Sequence, residues 1–573
     1  MGVCTVRRIW WAGPAAVAVA ITLLNAAKPA VVDDTAYLLF ARHIADRPFD
    51  PYGFELFWYR HPQLAMEILA PPVVPYWLAS GVAMFGERLF CLKLWLLPFL
   101  LCFCFAVHSL LRRFARGTET VGLILIALSP AVLPMVNFML DVPSVALGLA
   151  SVAVFARGCD QRSWGLIIAS GLLAGAAVQT KYTMMSVPAV LLLYGLLYRR
   201  PGYAIVSGMV AVAMFVAWEA WLHSVYGVSH FLYHVRDQQT GDGGVAAWVG
   251  QKAELVNPLL GHLGGLACAT GLYAGRGVGF GRRFVAIVAV VAAVGMMAVC
   301  LVPYSESVLL RSRATGSPRL DLAAVVFYTI GACVLTTLAI AISTLTLRPG
   351  HRPLGLVRRN PATWFLVGWL GIELAAYFVL TPFPASRRVI TVCVVLGLIA
   401  CRLVSRVGRV RPGRKPGRWV IVYAAGLGLG LFALDTWDAL PERQLAFQAS
   451  DVIGDRRNRH VWTQGHWGWQ YYTDRLGMKL VVPGSSELRT GDWLVVAVPP
   501  DERGFYRPYH GEATFRIEKD TVEPVAELWW DDLVAGQTIP NLYGGVVPVL
   551  GRDHPRLRVV VYRVTREWIP ASR

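Results

Sequence analysis

Three acidic residues stand where acid is costly. Asp33 and Asp34 directly follow the first long apolar block, and Asp141 opens a later one. An ionised carboxylate at the bilayer centre costs about 2.5–3.5 kcal/mol on insertion scales, so carboxylates at the ends of apolar blocks need a cause. Helix capping, worth about 1 kcal/mol, accounts for any one of them. Three on one face of the membrane point to a site. Basic residues recur on the same side: Arg60, His61, Lys181, Arg387 and Arg388 fall at outer span ends. Headgroup binding or snorkelling explains each singly, whereas a shared phosphate explains them together, because negative charge on a leaving phosphate needs charge-assisted donors. Carboxylates beside a phosphate clamp at a membrane surface mean chemistry on a lipid phosphate.

The elements that must position these residues are membrane spans. Hydrophobic residues make up 55% of the 573-residue chain and charged residues 16%, against roughly 25% charge in soluble proteins. The apolar residues run in blocks near the ~20 residues that cross a bilayer. They predict about thirteen helices, near 9–31, 89–111, 119–138, 142–156, 164–180, 183–198, 203–222, 256–274, 284–303, 321–347, 361–381, 388–405 and 419–436. Arg-rich clusters occupy every second connection, which by the positive-inside rule places the N-terminus in the cytoplasm and the C-terminal segment outside. The net charge of +18 is thereby spent on topology, and nucleic-acid binding is not expected. Arg7-Arg8 and the long apolar run after them read as a retained first helix rather than a cleaved leader. The ten cysteines form no CxxC pair and no Cys/His cluster, so neither a disulfide framework nor structural zinc is expected.

Between the spans, the first outer loop, 32–88, is too amphipathic for a linker. Tyr37, Leu38, Phe40, Ala41 and Ile44 recur at helical spacing, and 75–85 offers Tyr76, Trp77, Leu78 and Met84, so two helices lying in the interface are expected. After Asp435 the composition becomes that of a soluble domain. The chain divides into a membrane domain, 1–436, and an outer α/β domain, 437–573, with strands at 461–462, 479–482, 493–498, 526–530 and 557–564 and a short helix at 467–476. The glycine runs at 275–281 and 426–430 lack the strand–helix setting of a nucleotide loop. Gly171-x-x-x-Gly175 reads as close helix packing in lipid.

Several of these residues stand in motifs. Asp33-Asp34-Thr-Ala-Tyr37 resembles the Asp-Glu-x-x-Tyr after the first span of the GT-C superfamily, in particular bacterial relatives of protein O-mannosyltransferases and of the lipid A aminoarabinose transferase (glycosyltransferase family 39). His61-Pro62-Gln63 is similar to that family's His-Pro-Pro, Leu140-Asp141-Val142-Pro143 to its Asp-x-Pro, Thr180-Lys181-Tyr182-Thr183 to its Lys-bearing turn, and Ser386-Arg387-Arg388-Val389 to its late Arg-Tyr, with Arg388 in the place of Tyr. The resemblance implies an all-α polytopic GT-C fold and an inverting transferase that takes a sugar from a polyprenyl-phosphate carrier. It implies Asp33 as general base, Arg387, Arg388, Lys181 and Arg60 around the lipid phosphate, and Asp34 and Asp141 either holding a divalent cation or orienting the sugar. The acceptor is a glycan, lipid or protein hydroxyl. The rival reading, a transporter or flippase of lipid-linked sugars, predicts ionisable residues at mid-span and paired broken helices. Apart from Glu219, Glu373 and a few others, the charges sit at span ends.

Overall fold

A computed structural model of the chain describes residues 2–571 apart from 59–60, 240–243, 304–305, 307, 311–319, 348–359, 411–418, 455–458, 499–516, 518–519, 531–533, 540 and 552–556. Arg60 and two of the basic connections used for topology, 348–359 and 411–418, lie outside the described residues.

The protein is a polytopic all-α membrane protein carrying a small α/β domain at its C-terminal end. Among the described residues, eight helices are long and apolar enough to cross a membrane: Leu89–Phe114, Asp141–Gln161, Pro201–Tyr226, Arg282–Leu301, Leu322–Thr346, Pro361–Leu380, Ser386–Val407 and Trp419–Ile453. The other expected blocks are helical but shorter or bent. Ala12–Ala26, Trp164–Val178 and Tyr182–Leu197 are short apolar helices, and Val249–Leu266 meets Cys268–Val278 at 77°.

The block at 119–138 departs most from expectation. Its helix stops at Ala127, and residues 129–140 run buried as turns with one 3-10 turn at Leu133–Met135. Pro130 and Pro134 supply no N–H and cannot continue a helix. Irregular backbone at membrane depth survives only when protein satisfies it. Here Asn25 Nδ2 donates to the Leu133 carbonyl at 3.0 Å and Lys28 Nζ to the Pro134 carbonyl at 2.9 Å.

The loop 32–88 carries a helix at each of the two places expected, α1 (Asp34–Asp46) and α2 (Val73–Phe85). Between them lies a hairpin that the sequence did not announce, β1 (Glu55–Trp58) against β2 (His61–Leu64), pairing Glu55 with Leu64 and Trp58 with His61. Mid-span acids are locally satisfied. Glu373 accepts from Trp369 Nε1 at 3.0 Å, and Glu219 from Ser229 Oγ at 2.7 Å and Tyr182 Oη at 3.1 Å.

The last span continues unbroken from Trp419 to Ile453, through the composition change at 436. Beyond it β3 (Val461–Gln464), β4 (Lys479–Leu480), β5 (Trp493–Val498), β6 (Val522–Trp529) and β7 (Arg558–Val564) form one sheet in the order β4-β3-β5-β7-β6, parallel at β4-β3-β5 and antiparallel thereafter. The short helix α3 (Trp467–Arg475) lies on α1. Tyr472 Oη accepts from Ala30 N at 2.9 Å, Thr35 Oγ1 donates to the Trp467 carbonyl at 2.6 Å, and Gln470 Nε2 to the Phe57 carbonyl at 3.1 Å. Trp467 reaches this geometry at φ 58°, a left-handed conformation that costs an L-residue about 1–2 kcal/mol. At Gly468 a Cβ would stand 2.7 Å from the Ala30 carbonyl, so the approach requires glycine there.

Candidate active site

Four chain segments converge at one end of the bundle. Asp33 precedes α1, which begins the loop after the first helix. Asp141 opens the helix Asp141–Gln161, delivered there by the irregular stretch before it. Lys181 stands in extended backbone between Trp164–Val178 and the turn Tyr182–Met185. Arg387 and Arg388 sit in the 3-10 turn Ser386–Val389 that leads into a buried span, a turn pinned by a 2.8 Å hydrogen bond between Ser386 Oγ and His262 Nδ1.

These five ionisable residues line one cavity of about 290 Å³, together with Tyr37, Tyr182, His234 and an apolar wall that includes Trp58, Leu140 and Phe383. Arg387 Nη1 donates to Asp33 Oδ2 at 2.6 Å and lies 3.4 Å from the Met139 sulfur. Lys181 pairs with Asp141. Arg388 stacks over the Phe383 ring at 4.3 Å, and its shielded Nε has no hydrogen-bond partner among the described residues. Three cations thus face two carboxylates, leaving one net positive charge. Burial pulls the Lys181 ammonium below its ordinary range, while the adjoining Asp141 pushes it back up. Burial and the neighbouring Asp33 carboxylate hold the Tyr37 phenol well above its usual value, so it stays a neutral hydrogen-bonding group.

The remaining candidates lie elsewhere. His61 is exposed on β2 and does not line the cavity. Asp34 is fully buried behind it, where its carboxylate accepts from Val31 N at 3.1 Å and from Phe138 N at 2.9 Å, with Lys93 Nζ 3.9 Å away. It ties α1 to the stretch that presents Asp141. Asp34 and Asp141 therefore do not share a pocket for a cation, and among the described residues no three His, Cys, Asp or Glu side chains converge as metal ligands.

Sequence reasoning passed over Lys28, Lys93, Asp435 and Tyr543. Lys28 is fully buried and paired with Asp435, four hundred residues away. The signal available was two lysines at outer span ends, against the positive-inside rule.

The comparisons bear on this site. Residues 70–221 match the dolichyl-phosphate-mannose-protein mannosyltransferase family. The match runs from α2 through Pro201–Tyr226 and takes in Asp141 and Lys181, but not Asp33 or the arginines. No curated protein matches the chain. Among solved structures, the oligosaccharyltransferase AglB of Archaeoglobus fulgidus, in complex with an inhibitory peptide and a dolichol-phosphate, is similar at 10% identity and TM-score 0.46, over 86% of this chain and 69% of that one. The same organism's enzyme with Zn and sulfate is similar at 12% identity and TM-score 0.49, over 85% and 67%. ArnT of Cupriavidus metallidurans bound to undecaprenyl phosphate is similar at 15% identity and TM-score 0.36, over 84% and 92%. Over residues 70–221 the chain is similar to a glycosyltransferase family.

Proposed function

We propose that this protein is an inverting glycosyltransferase that moves a sugar from a polyprenyl-phosphate carrier to an acceptor hydroxyl on the outer face of the membrane. The observation that carries the reading is the charge balance of the cavity: three cations against two carboxylates leave one net positive charge, which complements the single negative charge of a phosphodiester-linked sugar. In the resting arrangement Arg387 is occupied by Asp33 and Lys181 by Asp141. An arriving phosphodiester competes for these cations, and Arg388 Nε offers a further donor. As Arg387 turns to the phosphate, the Asp33 carboxylate oxygen it occupied is freed to accept from the acceptor hydroxyl.

The step then balances. The acceptor oxygen bonds to the anomeric carbon while the bond from that carbon to the phosphate oxygen breaks. The acceptor proton passes to Asp33, and the bonding electrons leave with polyprenyl phosphate, which Arg387, Arg388 and Lys181 hold. Attack from the face opposite the leaving group inverts the sugar. The alternating arginine clusters support the outer face, because they put Asp33, Asp141 and the C-terminal domain on the non-cytoplasmic side.

The test is transfer in proteoliposomes from a polyprenyl-phosphate-linked hexose, read as released polyprenyl phosphate. Asp33→Asn keeps the size and removes the base. Turnover should fall about 10²–10⁴-fold, the range for a lost general base, with donor binding retained. Full turnover in well-folded Asp33→Asn protein removes Asp33 from the chemistry. Donor crossing the bilayer intact, with no phosphate released, makes the protein a flippase instead.

A further inference from the structure

The C-terminal domain does more than lie above the site. Its residues 537–539 and 541–551 reach the bundle, where the turn Asn541–Gly544 packs against the turn Ser386–Val389 that bears both arginines. The helix Val256–Leu266 is cut to receive it: a Cβ on Gly261 would stand 2.5 Å from the Val546 carbonyl and 3.0 Å from Val547 Cγ1. At the tip, Tyr543 is buried with its ring centre 6.0 Å from the guanidinium carbon of Arg387. Its hydroxyl is held from three sides, accepting from Asn137 Nδ2 at 3.0 Å and Lys28 Nζ at 3.3 Å and donating to Asp435 Oδ2 at 3.1 Å. Thr538 Oγ1 closes the same network on Asp435 Oδ1 at 2.7 Å, and Asp438 takes the backbone N–H groups of Thr538 and Ile539 at 2.8 and 2.6 Å.

From this we infer that Tyr543 is a positioning residue for Arg387, supplied to the membrane site by the C-terminal domain. A phosphate clamp works when its donors are held before the ligand arrives. Arg387 has one anchoring carboxylate, Asp33, and on the proposed function loses it to the phosphate. The Met139 sulfur at 3.4 Å carries no charge to hold it in place, so the aromatic face then keeps the guanidinium in plane when that exchange occurs. The hydroxyl network in turn keeps the ring from rotating, so the two parts of Tyr543 have separable roles.

The inference rests on the donor reading above, and the experiment separates the two. Undecaprenyl phosphate binding is measured by calorimetry on full-length protein in detergent, alongside donor and acceptor KM. Tyr543→Leu should weaken binding and raise donor KM about tenfold, the scale of a desolvated cation–ring contact, with acceptor KM unchanged. Tyr543→Phe keeps the ring and should bind within about threefold of the parent while melting at a lower temperature. In an Arg387→Lys background, exchanging Tyr543 for Leu should cost far less donor affinity than in the parent. Should the leucine protein not fold, Tyr543→Met takes its place. Unchanged binding in folded Tyr543→Leu, or equal losses with and without Arg387, overturns the inference alone. Absence of binding in the parent protein overturns the donor reading and the inference with it.

Discussion

Asp33 and Arg387 make each other's chemistry conditional. A carboxylate oxygen taken by an arginine is not free to accept from an acceptor hydroxyl, and an arginine held by a carboxylate is not free to bind phosphate, so the pair at 2.6 Å describes a site at rest. Its neighbour Asp34 has a different task. Burial pushes the Asp34 carboxyl up to about 6 from 3.8, against the pull of Lys93 and two backbone N–H groups. A carboxyl whose folded value is raised binds extra protons in the folded state between the two values, so its contribution to stability falls as pH rises through that window. The melting temperature of the parent relative to Asp34→Asn should therefore drop from pH 4 to pH 6 and level off above. A difference that stays constant across the window would return Asp34 to the ordinary carboxylate range. The five cavity residues were legible in the sequence because each is a charged side chain at the end of an apolar block. That Asp34 turns inward while Asp33 faces the cavity was not legible, since adjacent residues at a helix start diverge only once the neighbouring stretch 136–140 is in place.

At the scale of elements, the amphipathic periods of α1 and α2 and the β-rich blocks after 460 carried their own structure, and the sheet and both helices stand where the pattern put them. Among the elements that did not announce themselves, two bear on the site. The β1–β2 hairpin has four-residue strands, with Pro62 inside one of them, too short and too interrupted for an alternating signal. The 129–140 stretch is as apolar as a span, and only its two prolines hinted that backbone geometry would break. What allows that break is the last helix, which comes so near that a Cβ on Gly428 would collide with the Leu128 carbonyl. Gly428→Ala must push Trp419–Ile453 away from the stretch that presents Asp141. It should lower stability by about 1–3 kcal/mol, as overpacking does, and turnover with it. The control is Gly426→Ala, where a Cβ meets nothing; equal melting temperatures for the two variants would show that the contact does not constrain the helix.

Over the whole molecule, the ion pair between Lys28 and Asp435 joins residues 407 apart in the chain, a separation that no local pattern can register. It also imposes an order on biosynthesis. At about 5–20 residues per second, Lys28 enters the membrane roughly 20–80 s before its counter-charge is synthesised, and Tyr543 follows later still. During that interval its ammonium must stay near the headgroups on its flexible stem, and the first span can settle to its final depth only once the last has been inserted. The bundle is thus locked from its C-terminal end, and an unfinished chain carries a visible mark of being unfinished. A chain stopped after residue 430 retains Lys28 without Asp435, a loss worth about 3–5 kcal/mol for a buried pair. Pulse-chase labelling should show it degraded quickly, and Lys28→Met should lengthen its lifetime while shortening that of the full-length protein, where Asp435 would then be the residue left without its counter-charge.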